Sequence, residues 1–87
     1  MKFTNAHVFR DDRFTVGIEE ETGKYYLGIP VSNPYVDYTE YYEIDTVQFQ
    51  ACPGNIEELR RIVARCRARE NDDRLINKPG RLRGDPT

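Results

Sequence analysis

The chain has 87 residues, of which 38% are hydrophobic and 32% are charged, and its formal net charge is −2. This length accommodates one domain with a small core, and the apolar content is too high for an intrinsically disordered chain. The pI of about 5.4 disfavours the class of strongly basic nucleic-acid-binding domains.

Three segments in the first third of the chain have the character of β-strands. Residues 1–10 form a short mixed run that predicts a ragged edge strand. Residues 14–20 and 25–31 alternate apolar and polar side chains with the period of two that indicates a strand with one buried face. Residues 21–24 are a hairpin turn signal, because Gly23 adopts a positive φ without strain.

The register of this hairpin is predicted from burial, because a shift of one residue would expose half of the apolar side chains. The predicted register pairs Ile18 with Leu27, Val16 with Ile29, and Phe14 with Val31. It also places Gly17 opposite Gly28 on the outer face of the sheet. Two facing glycines would leave a shallow strip without side chains, which another backbone or ring could approach closely.

A third strand is predicted from Tyr35 to Ile44, after the break at residues 32–34. Its more apolar face is expected to point into the core and carries Val36, Tyr38, Glu40, Tyr42 and Ile44. Its acidic and aromatic face is expected to contact water and carries Tyr35, Asp37, Thr39, Tyr41 and Glu43. Together the three strands predict an antiparallel meander.

One amphipathic helix is predicted from Asn55 to about Glu70. Asn55 is expected to be its N-cap, with Glu58 in the capping-box position. The apolar stripe has the i, i+3, i+4 spacing of a helix with one buried face and consists of Ile56, Leu59, Ile62, Val63 and Cys66. Residues 46–51 fit a short helical turn capped by Asp45 and a continued strand almost equally well.

These elements predict a single α+β domain over residues 1–77, in which an antiparallel sheet of three or four strands is packed on one face by the C-terminal helix. Residues 78–87 hold two prolines and two glycines without an apolar period, so a flexible tail is expected. Cys66 is expected to be a small buried hydrophobe and not half of a disulfide with Cys52. The polar first residues and the lack of a run of about 18 apolar residues predict a cytoplasmic protein without a membrane segment.

The residue types that perform catalysis or bind metals are not arranged for either role. His7 is the only histidine, and no motif places a serine or cysteine with it. Two separated cysteines and scattered acids lack the spacing of metal ligands, and no glycine-rich phosphate loop is present. We therefore expect a protein that is not an enzyme and that has no cofactor or metal.

Acids and tyrosines are concentrated in the same part of the chain. Residues 11–50 contain nine acids and two bases, a segment charge of −7, and all six tyrosines lie between positions 25 and 42. Tyrosine is enriched at protein interfaces, and a negative field attracts a basic partner. This combination favours binding over catalysis.

The outer face of the third strand is the predicted partner-binding site. Tyr38 and Tyr42 are expected in the core, and Tyr35 and Tyr41 either cover the sheet face or contact a partner. The predicted contact residues are Tyr35, Asp37, Tyr41, Glu43, Glu19 and Tyr26. In its most concrete form, the hypothesis is an inhibitor or immunity-type protein that binds a basic protein.

Two alternatives follow from other features of the chain. A homodimer would bury the open sheet face or an edge strand and would add to a small core. The arginines of the helix would contact nucleic acid phosphates. The second alternative is less favoured, because Glu57 and Glu58 are interleaved with those arginines and indicate intrahelical ion pairs such as that of Glu57 with Arg61.

Parts of the chain resemble a group of small bacterial proteins of unassigned function. The similar segments are residues 24–33 (KYYLGIPVSN), 36–44 (VDYTEYYEI), 66–70 (CRARE) and 78–84, which begins KPG and ends RG. This resemblance implies no catalytic residues. In size, acidity and tyrosine placement the chain also resembles immunity proteins that neutralise bacterial toxins, without a shared motif, which implies an inhibitory role.

Overall fold

The computed structural model describes residues 1–78 and 83–87. They form an antiparallel sheet with helices, which confirms the α+β class. The elements are β1 (Phe3–Phe9), β2 (Phe14–Glu19), β3 (Lys24–Ser32), β4 (Asp37–Ile44), α1 (Thr46–Ala51), α2 (Ile56–Arg67), a 3-10 turn (Asp72–Arg74) and β5 (Asp85–Pro86). Strands β1 to β4 lie side by side in chain order, and β5 pairs with the end of β3.

The first strand lies at the edge of the sheet, as its weak pattern predicted. It pairs with β2 and contains an irregularity between Asn5 and His7, where one extra residue is inserted. A bulge of this kind reverses the faces of the residues that follow it. Phe3 and Asn5 therefore lie on the outer face, whereas Phe9 lies on the inner face and stacks on Phe14 at 4.5 Å between ring centroids.

The hairpin of β2 and β3 has a different register from the predicted one. Val16 pairs with Leu27, so the strands are shifted by two residues relative to the expectation. A two-residue shift keeps every side chain on its predicted face, and burial alone therefore does not distinguish the two registers. The observed register places Glu19 opposite Lys24, where the Glu19 carboxylate reaches the backbone of the turn.

The predicted strip of facing glycines is consequently wrong. Gly17 pairs with Tyr26, and Gly28 pairs with Thr15. A side chain at Gly17 would collide with the carbonyl oxygen of Thr4 and with the ring of Tyr26. The aromatic ring that crosses Gly17 belongs to the chain itself, so this part of the outer face is already covered.

The alternation predicted for the third strand is confirmed along most of β4. Tyr42, Ile44 and Glu40 are buried, and Tyr38 packs against the core. The exception is Val36, which is 58% exposed because β4 begins one residue after it. Side chains from the inner face of the sheet and from α2 form one buried cluster. Its members are Phe14, Val16, Leu27, Ile29, Val31, Tyr42, Ile44, Leu59, Val63, Cys66, Cys52 and Leu75.

Residues 46–51 form a helix and not a continued strand. The Asp45 carboxylate accepts a hydrogen bond from the Gln48 backbone N–H at 2.7 Å, and the Gln48 side chain accepts one from the Asp45 N–H at 3.0 Å. These reciprocal bonds are a capping box. The strong cap explains why so short a helix begins here.

The capping box expected at the start of α2 is wrong. The Asn55 amide instead donates to the Gln48 carbonyl at 3.1 Å and to the Glu58 carboxylate at 3.3 Å, so it joins α1 to α2. The helix also ends at Arg67, before the predicted end at Glu70. Arg69 has φ of 61°, a left-handed conformation that stops a helix.

Residues 83–87, part of the segment expected to be a flexible tail, pair with the sheet. β5 pairs with the end of β3 that extends past its pairing with β2. The Gly84 N–H donates to the Tyr38 hydroxyl at 2.8 Å. A side chain at Gly84 would collide with the Ser32 carbonyl group. Residues 79–82 of the predicted tail lie outside the described residues.

Arg83 attaches this segment to the core through two carboxylates. Its guanidinium donates to Glu40 at 2.7 and 3.1 Å and to Asp72 at 2.7 and 2.9 Å. The Tyr42 hydroxyl donates to the same Glu40 carboxylate at 2.9 Å. We call these four residues the Arg83 cluster.

Within the Arg83 cluster Tyr42 is buried and the side chains of Arg83 and Glu40 are 14% and 5% exposed, whereas that of Asp72 is 42% exposed. Hydrogen bonds to Asp72 and Glu40 raise the pKa of Arg83, and the Arg83 guanidinium lowers the pKa of Asp72. Burial and the bond to Glu40 raise the pKa of Tyr42. Arg83 and Asp72 therefore stay charged at neutral pH, and Tyr42 stays protonated.

We expect Arg83→Met to lower the free energy of unfolding by about 3 kcal/mol, because it leaves the Glu40 carboxylate buried without a countercharge. Urea denaturation at pH 7 measures this loss. The double variant R83M/E40Q should recover at least about 1 kcal/mol relative to R83M, since a neutral amide carries a smaller desolvation cost.

The matched control is Arg65→Met. Arg65 is exposed, and its side chain has no hydrogen bond or ion pair within the described ranges. Its replacement should change the free energy of unfolding by no more than about 0.5 kcal/mol. Equal losses in R83M and R65M, or no recovery in the double variant, would contradict the role of the Arg83 cluster.

Candidate functional site

The outer face of the sheet carries an aromatic cluster that the sequence did not predict. Phe3 stacks on Tyr41, with ring centroids 3.7 Å apart and planes 7° apart. Tyr26 meets both rings edge-on, at 5.4 Å from Phe3 and 4.9 Å from Tyr41. Edge-on pairs such as those of Tyr26 stabilise a fold by roughly 0.5–1.5 kcal/mol beyond the effect of burial. We call these three residues the outer aromatic cluster.

Tyr26, predicted to contact a partner, lies at the base of this cluster. Its side chain is fully buried, and its hydroxyl donates to the Asn5 side-chain oxygen at 2.6 Å. Burial, followed by the neighbouring Tyr41, raises the pKa of Tyr26 to about 12. Its inclusion in the partner-binding set is therefore wrong, because a partner cannot reach the buried ring unless Phe3 and Tyr41 move aside.

Glu19, the other predicted contact residue beside the hairpin turn, is also fully buried. Its carboxylate accepts four hydrogen bonds: from the Thr22 hydroxyl at 2.6 Å, and from the backbone N–H groups of Lys2, Glu21 and Thr22 at 2.9 Å each. These bonds, led by those of Thr22 and Glu21, lower the pKa of Glu19 to about 2. Glu19 therefore organises the turn and the start of β1, and its assignment to the binding surface is wrong.

The remaining predicted residues are more accessible, and the most exposed of them lies in the turn between β3 and β4. Tyr35 is 78% exposed, and Val36 beside it is 58% exposed. The Asn33 side-chain oxygen accepts hydrogen bonds from the N–H groups of both, at 2.8 and 2.9 Å. The Ser32 hydroxyl donates to the Asp37 carboxylate at 2.6 Å. We call residues 32–37 the hairpin tip.

Tyr41 and Glu43 lie further along β4 and do not join the hairpin tip. Asp37 and Glu43 are roughly 20 Å apart along an extended strand. Tyr41 is half-buried under Phe3, and Glu43 is exposed and lies 3.9 Å from the Lys24 ammonium group. The predicted single patch is therefore two surfaces, of which only the hairpin tip presents an exposed aromatic ring.

The sequence contained a partial signal for this arrangement. Ser32, Asn33 and Pro34 mark a turn, and Asn in a turn commonly accepts hydrogen bonds from the backbone that follows. That signal moves the start of β4 beyond Val36, which was expected in the core. The position of Phe3 on the outer face could not be predicted in the same way, because the bulge in β1 interrupts the alternation of faces along the strand.

Histidine, cysteine and acidic side chains are the potential metal ligands of this chain, and the two cysteines are its thiols. Within residues 1–78 and 83–87, no group of three or more histidine, cysteine and acidic side chains is placed to hold a metal ion. Cys52 and Cys66 are buried and free, and burial raises the pKa of both thiols, that of Cys66 to about 11. Such thiols are protonated at neutral pH and are poor nucleophiles. No helix in these ranges is long and apolar enough to span a membrane.

Several arginines proposed for nucleic acid contact have partners within the chain. Arg60 forms ion pairs with Asp12 at 3.2 Å and with Glu57 at 2.8 Å. Arg67 donates to the backbone carbonyl groups of Asp12 and Arg13. The bonds to Asp12 and Arg13 connect α2 to the turn between β1 and β2. Guanidinium groups that are engaged in this way are less available to bind the phosphates of a nucleic acid.

Comparison with protein-family models, curated proteins and solved structures finds no match for this chain. The likeness to small bacterial proteins and to immunity proteins therefore stays a prediction.

The buried carboxylate of Glu19 predicts a specific dependence of stability on pH. Its folded-state pKa of about 2 lies below its ordinary value of 4.5. A lowered pKa stabilises the fold fully above the ordinary value, and this contribution is lost as the pH falls from about 4.5 towards 2. Glu19→Gln should therefore be less stable at pH 7 and should show a shallower loss of stability within that window.

The control for this prediction is Glu70→Gln, since Glu70 is exposed and its side chain has no hydrogen bond or ion pair in the part of the chain that is described. Urea denaturation at a series of pH values measures both variants against the unchanged protein. E70Q should follow the unchanged protein. An E19Q profile as steep as that of the unchanged protein would contradict the assigned role of Glu19.

Proposed function

We propose that this protein is a non-catalytic protein-binding module whose main contact residue is Tyr35 at the hairpin tip. The observation that carries the proposal is the exposure of this ring, 78%, on a turn whose backbone is held by hydrogen bonds. A large aromatic side chain exposed to this extent has no role in the core of the described chain. Tyrosine is among the residues most enriched at interface positions that dominate affinity.

The order of the hairpin tip supports a recognition role. The Asn33 side chain accepts two backbone N–H groups, the Asn33 N–H donates to the Val36 carbonyl at 3.2 Å, and Ser32 bonds Asp37. A turn fixed in this way loses little conformational entropy when a partner binds. Val36 widens the apolar contact, while the Asp37 carboxylate keeps acceptor capacity for a donor on the partner.

The charge around the hairpin tip favours a basic partner. The −7 charge of residues 11–50 is not all available, because Glu19 and Glu40 are buried among their own hydrogen-bond donors. Of the exposed carboxylates on and after β4, that of Asp37 lies at the hairpin tip, whereas those of Glu43 and Asp45 lie roughly 20 Å or more away along the strand. In its most concrete form, the proposal is an inhibitor or immunity-type protein that binds a basic protein in the cytoplasm, with electrostatic attraction raising the association rate.

Capture and titration test this proposal. The immobilised protein is incubated with lysate of its source cell at low salt, and the bound protein is released at high salt, purified and titrated against variants. Tyr35→Ala should weaken binding by about 2 kcal/mol or more, near 30-fold, because it removes the main apolar contact. Asp37→Asn should chiefly slow association and reduce its dependence on salt.

Val47→Ala and Glu70→Gln are the matched controls. Val47 is 75% exposed on α1, and Glu70 is exposed beyond α2, so neither belongs to the hairpin tip. Both should bind as tightly as the unchanged protein. Tyr41 is not a suitable test residue, because its removal would also disrupt the outer aromatic cluster. Unchanged affinity in Y35A and D37N would exclude the hairpin tip as the contact surface.

A further inference from the structure

Residues 83–87, which we call the docked segment, contact both strands that lead into the hairpin tip. On the β3 side, Asp85 pairs with Ser32, the first residue of the hairpin tip. On the β4 side, the Gly84 N–H donates at 2.8 Å to the hydroxyl of Tyr38, the residue that follows the hairpin tip. The docked segment is therefore bonded to the chain at both ends of the exposed turn.

Gly84 also packs directly on the backbone of the hairpin tip. It is buried, and a Cβ atom at this position would collide with the Ser32 carbonyl group and would lie 2.9 Å from the Asn33 nitrogen. The Asn33 side-chain oxygen fixes the turn, because it accepts the N–H groups of Tyr35 and Val36. Release of the docked segment therefore removes the packing from the residues that order the turn.

Two arginines hold the docked segment, and both have a backbone conformation that favours glycine. Arg13 has φ of 59° and Arg69 has φ of 61°, and they are the non-glycine residues with positive φ in the part of the chain that is described. Arg69 donates to the Gly84 carbonyl at 2.8 Å and to the Asp85 carboxylate at 3.1 Å. Arg13 donates to the Thr87 hydroxyl at 3.2 Å. Strained residues cluster where a protein clamps a ligand or switches between states, and both of these clamp the same segment.

We propose that the docked segment regulates the hairpin tip: docked against β3 it holds the turn in its ordered form, and when it is released the turn loses that order. The two regions share Ser32, whose backbone pairs with Asp85 and whose hydroxyl donates to Asp37. The regulatory role rests on the proposed function, because it acts on the surface that binds the partner. Coupling between two sites is reciprocal, so a partner that binds the ordered turn also favours docking.

Amide hydrogen exchange of the full chain, followed by NMR, tests this coupling without a partner. Gly84→Ala adds only a methyl group, at the point where the docked segment lies on Ser32, and leaves Arg83 in place. Exchange at residue 84, at Tyr35 and at Val36 should become about tenfold faster, because the methyl group displaces the docked segment. Amides in the middle of β3 and β4 should keep their rates.

Arg69→Gly is the second variant, because it removes one clamp and leaves the packing of Gly84 unchanged. Glycine is the commonest residue at the position that follows a helix, so the relief of backbone strain offsets the loss of an exposed ion pair. The midpoint of urea unfolding should therefore change little. Exchange at Gly84, Tyr35 and Val36 should nevertheless become about fivefold faster, which a purely structural role for Arg69 does not predict.

Glu70→Gln is the matched control, because Glu70 follows Arg69, is exposed and makes no side-chain hydrogen bond or ion pair within the described ranges. It should leave every exchange rate unchanged. The proposal is overturned if residue 84 exchanges faster in G84A and R69G while Tyr35 and Val36 keep their rates. It is also overturned if residue 84 keeps its rate in both variants.

The partner captured and purified as described above separates this inference from the proposed function. G84A should bind that partner about tenfold more weakly, since fewer molecules have an ordered turn. Unchanged affinity in G84A, with weakened binding in Y35A, would overturn the regulatory role alone. Unchanged affinity in both Y35A and D37N would instead exclude the hairpin tip as the contact surface, and the regulatory role would fall with it.

Discussion

The guanidinium of Arg83 lies between the carboxylates of Glu40 and Asp72, and this contact determines how β4 and the end of the chain fit together. Glu40 occupies the inner face of β4 beside Tyr42 and Ile44, where an unpaired carboxylate would carry a large desolvation cost. Arg83 offsets that cost with two hydrogen bonds, and the Tyr42 hydroxyl adds a third. Because Arg83 directly precedes Gly84 and β5, the same contact positions β5 against β3.

The fold buries a second carboxylate by a different mechanism. Glu19 receives four hydrogen bonds from the hairpin turn and from the start of β1, and no arginine or lysine side chain among the described residues forms an ion pair with it. Backbone N–H groups and the Thr22 hydroxyl take the place of water around the Glu19 carboxylate. Because they donate to its charged form, they lower the pKa of Glu19. Two of the acids that make the middle of the chain so negative are thus part of the architecture. The acids left on the surface, Asp37 among them, are those relevant to a partner.

The strands and their faces could be predicted from the sequence, because the period of two is a direct consequence of the pleat. The hairpin register could not, since a two-residue shift preserves every face; the observed register is accompanied by the hydrogen bonds of Glu19 and by the packing of Tyr26 across Gly17. The role of Arg83 was also hidden: its partner Glu40 is 43 positions away, and the prolines and glycines around Arg83 are typical of a flexible tail. The hairpin tip was predicted in part, whereas Glu19 and Tyr26 were assigned to the surface because alternation does not show which polar residues are enclosed.

Amide hydrogen exchange at Gly84 tests most directly whether Arg83 makes the C-terminal residues part of the fold. The Gly84 N–H donates to the Tyr38 hydroxyl only while β5 is docked, and Arg83 is the residue next to it. The account predicts that this amide exchanges at least about 100-fold more slowly than in an unstructured peptide. Exchange of Gly84 at the rate of an unstructured peptide, while amides in the middle of β3 and β4 stay protected, would contradict it.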